Sequence, residues 1–374
     1  MTLDPSRALQ SFAVGAMLTV SISVGAMAQS AAGQIGADID CALASSFNLS
    51  PADIRRIDTF TSTLAPDLTS DDPTARAQAR NRLLRPLGCA TVSVAFRMQY
   101  GASLIVPLKQ MVGPNADPQV QANALRILGR VRATQSLSAL STGLSDPRPA
   151  VRFAATVGYQ ELLSKPAQEQ WPIRQRSLDG VLDELGKILV DDSDPFVVNG
   201  AVVALSAIDP ADAALREQAV RRIAQGLSDR RAKLILDPNS EAEFDQWIRC
   251  YHRALIAVRN TLLQQNGQSG QQNFGLAAAI FGGQGLVLAR QLMTLQPVQE
   301  NPQLESLVAD IVSTAEGVVV FGAGSVGQTT STPGLRKFFN QHDTNAFDSA
   351  LAPWIGSAGL LTRSPFSVPA EHFK

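Results

Sequence analysis

The run that most resembles a chemical motif is Val318-Val319-Val320-Phe321-Gly322-Ala323-Gly324-Ser325-Val326-Gly327. Its glycines match G-x-G-x-x-G, the turn that lets a dinucleotide pyrophosphate approach a helix N-terminus. Ala323-Gly324-Ser325-Val326-Gly327 is also a variant of the strained elbow that exposes a serine nucleophile. Both need a strand before the turn and a helix after it. The preceding residues are in phase with a helix, and Gln328-Thr329-Thr330-Ser331-Thr332-Pro333-Gly334 cannot form the helix required after it. The run therefore reads as a flexible loop. A serine hydrolase would further need a histidine base and a carboxylate to orient it. The chain has three histidines. His252 falls inside a helical stretch, while His342 and His372 lie near the C-terminus beside Asp343 and Glu371.

Metal chemistry finds no better footing. Cys250 and His252 are two apart on a helix and point in different directions. Asp191-Asp192-Ser193-Asp194 clusters carboxylates without the glycine turn or distal glutamate of a calcium loop. No metal and no cofactor are expected, and the chain is read as non-enzymatic. Arginines are the better candidates for binding. Arg126, Arg130 and Arg132 surround one predicted helix end, and Arg148 and Arg152 open a later helix. Stacked side by side, these would form a basic ridge whose planar forks suit carboxylates. The competing account is that they complement helix dipoles and solvate the surface. Arg221 and Arg222, with Arg230 and Arg231, form a second patch open to both accounts. Trp171 and Trp354 stand in proline-flanked stretches, either as partner anchors or as packing against a neighbouring helix.

These residues must be positioned by helices. Asp72-Pro73, Asp117-Pro118, Asp146-Pro147 and Asp194-Pro195 each predict an N-cap followed by proline at the first helical position. Apolar and small residues then recur at helical spacing: Val120, Ala124, Leu125 and Leu128; Val151, Ala154, Ala155 and Gly158; Val198, Ala201, Val202 and Leu205. The pattern resembles HEAT and HEAT-like repeats over about residues 70 to 230, most closely at Ser145-Asp146-Pro147-Arg148-Pro149-Ala150-Val151-Arg152-Phe153-Ala154-Ala155. The spacing between starts is irregular, and a Pro- and Gln-containing insertion at 165–172 lengthens one unit. The resemblance implies an α-solenoid that serves as a scaffold, and no particular ligand. Beyond it, 240–265 reads as one long helix with Phe244, Trp247, Cys250, Tyr251, Ala254, Leu255, Val258 and Leu262 on one face. A Gly- and Gln-rich break follows at 266–275. Helices are then expected at 275–295, 301–320 and 346–361, in a C-terminal region that is either a capping element or a partly loose tail.

Bulk composition narrows the function classes. The chain has 374 residues, 45% of them hydrophobic, with 17% charged and a formal net charge of −1. A chain so close to neutral lacks the field that non-specific nucleic-acid binding needs. Only 6% of residues are aromatic, too few for a base- or sugar-stacking platform. At the N-terminus, Arg7 precedes an uncharged run from Ala8 to Ala28 that ends in Ala26-Met27-Ala28. Small residues at −3 and −1 mark a secretory leader cleaved after Ala28, so that the mature chain starts at Gln29; an uncleaved membrane anchor is the alternative. No later segment looks apolar for long enough to cross a membrane. Cys41, Cys89 and Cys250 would then meet an oxidising compartment. Cys41 with Cys89 is the favoured pair, against three buried free thiols.

The expected protein is therefore all-α, an α-solenoid of HEAT-like helical hairpins with a less regular helical C-terminal region. Its parts are a signal peptide at 1–28, an N-terminal helical cap at 29–69, repeats at 70–265 and a helical, loop-rich region at 266–374. The expected role is a periplasmic or secreted scaffold that binds a protein partner of unknown identity through the face formed by 117–230. The alternatives are a structural accessory subunit of a cell-envelope complex, and a hydrolase with its site near Gly322 to Gly327.

Overall fold

Aspartate, asparagine and serine caps start most of the long helices, and proline at the first helical position sharpens the entry. The computed structural model describes residues 38–164, 173–235, 241–265 and 272–373. These all fall within one unit, Gly36–Lys374, and contain sixteen α-helices, five short 3-10 turns and no strand. The expected leader, its cleavage point after Ala28, the insertion at 165–172 and Trp171 lie outside the described residues.

In chain order the helices are α1 Cys41–Ala44, α2 Pro51–Leu64, α3 Pro73–Leu84, α4 Val94–Gln110, α5 Pro118–Val131, α6 Leu137–Leu144, α7 Pro149–Leu163 and α8 Gln175–Asp191. They continue with α9 Pro195–Ser206, α10 Ala213–Ile235, α11 Glu241–Gln265, α12 Gln272–Leu292, α13 Gln296–Gln299, α14 Pro302–Ser325, α15 Leu335–Asn340 and α16 Thr344–Ile355. Successive hairpins stack in two layers. The second helices α3, α5, α7, α9, α11 and α14 make one continuous layer, and on the other side the first helices pack as α2 with α4 and as α8, α10 and α12, with α6 against its hairpin mate α7. Within the second layer α5 packs on α7, α7 on α9, α9 on α11 and α11 on α14. The fold is all-α and solenoidal. The hairpins extend beyond the expected 70–265: α2 with α3 opens the series, and α12 with α14 closes it.

The apolar stripes face inward as the periodicity predicts. Ala124, Leu125, Val151, Ala155, Val198, Ala201, Val202 and Leu205 are fully buried. Two apolar clusters meet at α5, which gives Leu125 to one and Val120, Ala124, Ile127 and Leu128 to the other. Glycine sets the closest helix approaches. A Cβ on Gly129 would run into the Gly158 carbonyl, and one on Gly322 would lie 2.8 Å from the Gly275 oxygen and 2.9 Å from the Ala279 nitrogen.

Several expectations are corrected. Asp146 is not an N-cap: α7 begins at Pro149 with Arg148 as its cap residue, because the second proline of Pro147-Arg148-Pro149 takes the first helical position. Asp72, Asp117 and Asp194 do cap, accepting from Thr74, Gln119 and Phe196 N–H at 2.8 Å in each case. Asn301-Pro302 is a further start of the same kind, Asn301 accepting from Gln303 N–H at 3.1 Å. The expected loop at Gly322 to Ser325 is helical, since α14 runs through to Ser325. The expectation that no segment after the leader is apolar for long enough to cross a membrane is also overturned. α14 is long and apolar enough, but 61% of its most apolar window is buried inside the fold. The C-terminal region is fitted rather than loose. Arg290 on α12 holds Asp348 on α16 through two bonds of 2.7 and 2.8 Å, and Glu316 on α14 accepts from Leu335 N–H at 2.9 Å, capping α15 from outside. Cys41 and Cys89 are joined in a disulfide that ties α1 to the end of the first hairpin. Cys250 is a buried free thiol.

The contact at Gly129 gives a direct test of the layer spacing. Gly129→Ala should cost about 1–3 kcal/mol, the range for overpacking a tight interior, read as a lower urea midpoint at unchanged slope.

Candidate partner-binding face

The arginines singled out in the sequence divide by place. Those on the turns between first and second helices are held internally. Arg148 grips Asp146 through Nε–Oδ1 and Nη2–Oδ2 bonds of 2.9 Å each and donates to the Ala116 carbonyl at 2.9 Å. Arg152 grips Asp192 at 2.6 and 3.0 Å and donates to the Asp146 and Pro147 carbonyls, both at 3.1 Å. Asp192 is almost wholly buried, its side chain only 3% exposed. Arg230 continues the series, donating to the carbonyls of Val190 (2.9 Å) and Asp192, while its guanidinium stacks 4.8 Å from the Trp247 ring.

Arg132 is buried as well. It ends α5 in the left-handed conformation (φ 58°) and donates to the Glu161 and Ser164 carbonyls at 3.0 and 2.9 Å, satisfying the C-terminus of α7. Arg97 does the same for α5 through the Arg130 carbonyl at 3.1 Å. Arg126 and Arg130 share Glu161, at 3.9 and 3.1 Å. On the first-helix layer, Arg222 pairs with Asp183, and the Nε of Arg221 is buried without a hydrogen-bond partner. The single ridge joining Arg126, Arg130, Arg132, Arg148 and Arg152 is therefore corrected. Arg126 and Arg130 stand toward the C-terminal end of α5, whereas Arg148 and Arg152 stand at the N-terminus of α7. Arg132 faces the interior, because C-terminal carbonyls in a stacked array need donors from the next hairpin.

The second-helix layer exposes another set of side chains. Phe153 on α7 and Phe196 on α9 are 40% and 49% exposed. Phe153 leans on α9 at Gly200, where an added Cβ would come within 3.3 Å of its ring, and Phe196 lies one turn earlier on α9. Toward the N-terminal side, Arg76 and Arg80 of α3 donate to the side-chain oxygens of Gln119 (2.9 Å) and Asn123 (3.2 Å) of α5. Those four residues line a cleft of about 230 Å³. Toward the other side, Arg253 of α11 donates to the Asn199 oxygen of α9 at 2.9 Å. The sequence reading missed these residues because their partners lie 43 to 54 positions apart. Aligning the repeats at their first-turn prolines would have found two of them: Arg76 and Arg80 sit three and seven residues past Pro73, and their partners one and five past Pro118.

Elsewhere the geometry offers little chemistry. Ser325 Oγ donates to the Gly322 carbonyl at 2.7 Å within α14, so neither the nucleotide turn nor the serine elbow forms there. Burial pushes the Cys250 thiol up to about 12, which keeps it protonated and unreactive. Burial also lowers His252 from its ordinary range and raises Glu316. Among the described residues, no three His, Cys, Asp or Glu side chains converge to hold a metal. Trp354 is buried in the core, its indole N–H donating to Thr330 at 3.0 Å, so it packs against neighbouring elements of the chain. A cleft of about 660 Å³ opens between α2, α4 and the start of α5, walled by Ala65, Pro66, Pro107, Met111 and Val120. Its one carboxylate, Asp117, is engaged in capping α5.

The class defined by this architecture is a HEAT-like helical repeat array. Residues 119–280 match the family model described as non-SMC mitotic condensation complex subunit 1, a HEAT-like helical family. No curated protein matches the chain. Among solved structures, an engineered protein from a structural genomics consortium is similar at 17% identity and a TM-score of 0.35, over 70% of this chain and 97% of the other.

Two outcomes follow from the turn-edge clasps. Asp192→Ala strips a partly buried guanidinium of its carboxylate and should cost about 3 kcal/mol or more, measured by chemical denaturation. The Asp146 carboxyl is held below its ordinary value of 3.8, first by the Arg148 side-chain hydrogen bond and then by the Arg148 N–H and the nearby arginine charges, against the opposing effect of burial. A depressed carboxyl stabilises the fold above its unfolded value and stops doing so as pH falls through its folded value. The stability gap between wild type and Asp146→Asn should therefore be full at pH 7 and close as pH drops below about 3.8.

Proposed function

We propose that this protein is an exported interaction scaffold that holds a protein partner against the outer face of its second-helix layer and catalyses no reaction. The observation that carries the reading is the pair Phe153 and Phe196, exposed together on neighbouring helices of a layer whose other large apolar side chains are mostly buried. Large exposed aromatics flanked by arginines are the side chains that anchor protein contacts. The Cys41–Cys89 disulfide supports export, because such bridges form and persist in oxidising compartments. The matched family is named for a subunit of a multiprotein complex, which fits a part that works by contact.

The second reading, an accessory subunit of an envelope complex attached through the C-terminal region, has less support. That region already uses Asp348, Trp354 and the α15 N-terminus on its own neighbouring elements.

The test is affinity capture of the tagged full-length protein from intact cells after crosslinking. Mature protein should begin at Gln29, and a defined protein partner should be recovered with wild type and lost with Phe153→Ser/Phe196→Ser at unchanged melting temperature. Retention of residues 1–28 on a cytosolic protein refutes export; a partner held equally by the double variant refutes the face.

A further inference from the structure

Resting on that scaffold reading, we infer that the partner presents a short extended segment with carboxylates at both ends and apolar residues between them. Two of the ways in which this protein holds its arginines differ in the charge they leave. At the turn edge Arg148 and Arg152 meet carboxylates, which cancel their charge. On the outer face Arg76, Arg80 and Arg253 are held by the neutral side-chain oxygens of Gln119, Asn123 and Asn199. Among the described residues no carboxylate pairs with any of the three.

An amide oxygen fixes the direction of a guanidinium without neutralising it. Each fork therefore stays charged, partly immobilised and open to a carboxylate, which it can meet with two parallel bonds. The ordering entropy that weakens exposed ion pairs is already met in part before the partner arrives. Two of the forks stand in the cleft of about 230 Å³ between α3 and α5, and the third lies between α9 and α11. Phe153 and Phe196 lie between these stations.

Spacing follows from the layer. The two stations are three interhelical steps apart, or about 25–30 Å at 8–10 Å per step. An extended chain covers that distance in roughly eight residues. The expected ligand is thus an acidic–apolar–acidic segment crossing the second helices. Exposed aromatics between the cationic stations, and a chain with net charge −1, favour a protein segment over a nucleic-acid strand.

The experiment places a photo-crosslinking amino acid at position 153 of the full-length protein in living cells and maps the captured peptide by mass spectrometry. The expected peptide carries Asp or Glu on both sides of apolar residues, at about eight-residue separation. A synthetic copy of it should bind the purified protein with salt-sensitive affinity. Arg80→Gln/Arg253→Gln should weaken that binding about a hundredfold, roughly tenfold for each charge-assisted hydrogen bond lost. Arg222→Gln, on the other layer, should not change it, and both variants should melt as wild type does. A captured protein segment without flanking acids, or binding indifferent to Arg80→Gln/Arg253→Gln, overturns this inference and leaves the scaffold reading standing. Capture only of a second copy of the chain, or only of nucleic acid, also overturns it. Capture of no macromolecule at all removes both.

Discussion

The array depends on arginine forks that reach from one hairpin to the turn of the next. Apolar stripes drive the helices together, but burial is non-directional and would tolerate sliding along the stripe. Arg148 joins the turn before α7 to the one before α5, Arg152 joins α7 to the turn before α9, and Arg230 joins α10 to that same turn. Each is a directional contact in a partly dry setting, where an unmade bond is costly. The turn edge thus sets register, while the stripes supply most of the cohesion.

The opposite ends of the helices are managed by the same side chain in a different role. Arg97 and Arg132 carry their charge inward to the last carbonyls of α5 and α7, where the helix dipole leaves partial negative charge. Aspartate caps the starts and arginine from a neighbour caps the ends. Glycine then lets α5 approach α7, and α12 approach α14, at distances no side chain would permit. Caps, clasps and close approaches together leave the second-helix layer rigid enough to present Phe153 and Phe196 as fixed features.

The helical class and most helix starts were legible in the sequence, because caps and stripes are local signals. Asp72, Asp117 and Asp194 behave as their type and position dictate, and the stripe from Phe244 to Leu262 lies on one helix as its period requires. The Cys41–Cys89 pair was also favoured there. The outer face was not legible. Whether an arginine meets a carboxylate, a carbonyl or an amide is decided between hairpins of unequal length, and Arg126, Arg132 and Arg152 look alike along the chain. Gly322 to Ser325 misled for a related reason: glycine weakens a helix in isolation, yet here it is what allows α14 to lie against α12.

The C-terminal region carries the same logic into a segment whose composition looks loose. Gly334 has no side chain to cap α15, so the first turn there would leave bare N–H groups. Glu316 supplies the acceptor from α14, even though burial disfavours its charged form and raises its pKa. A carboxylate stays in so dry a place because the N–H groups it meets would otherwise be unsatisfied. That exchange docks α15 on the last hairpin, and Arg290 docks α16 beside it. The array therefore ends in elements that cover its final apolar face, so the exposure of Phe153 and Phe196 in the second-helix layer does not come from a ragged C-terminal end.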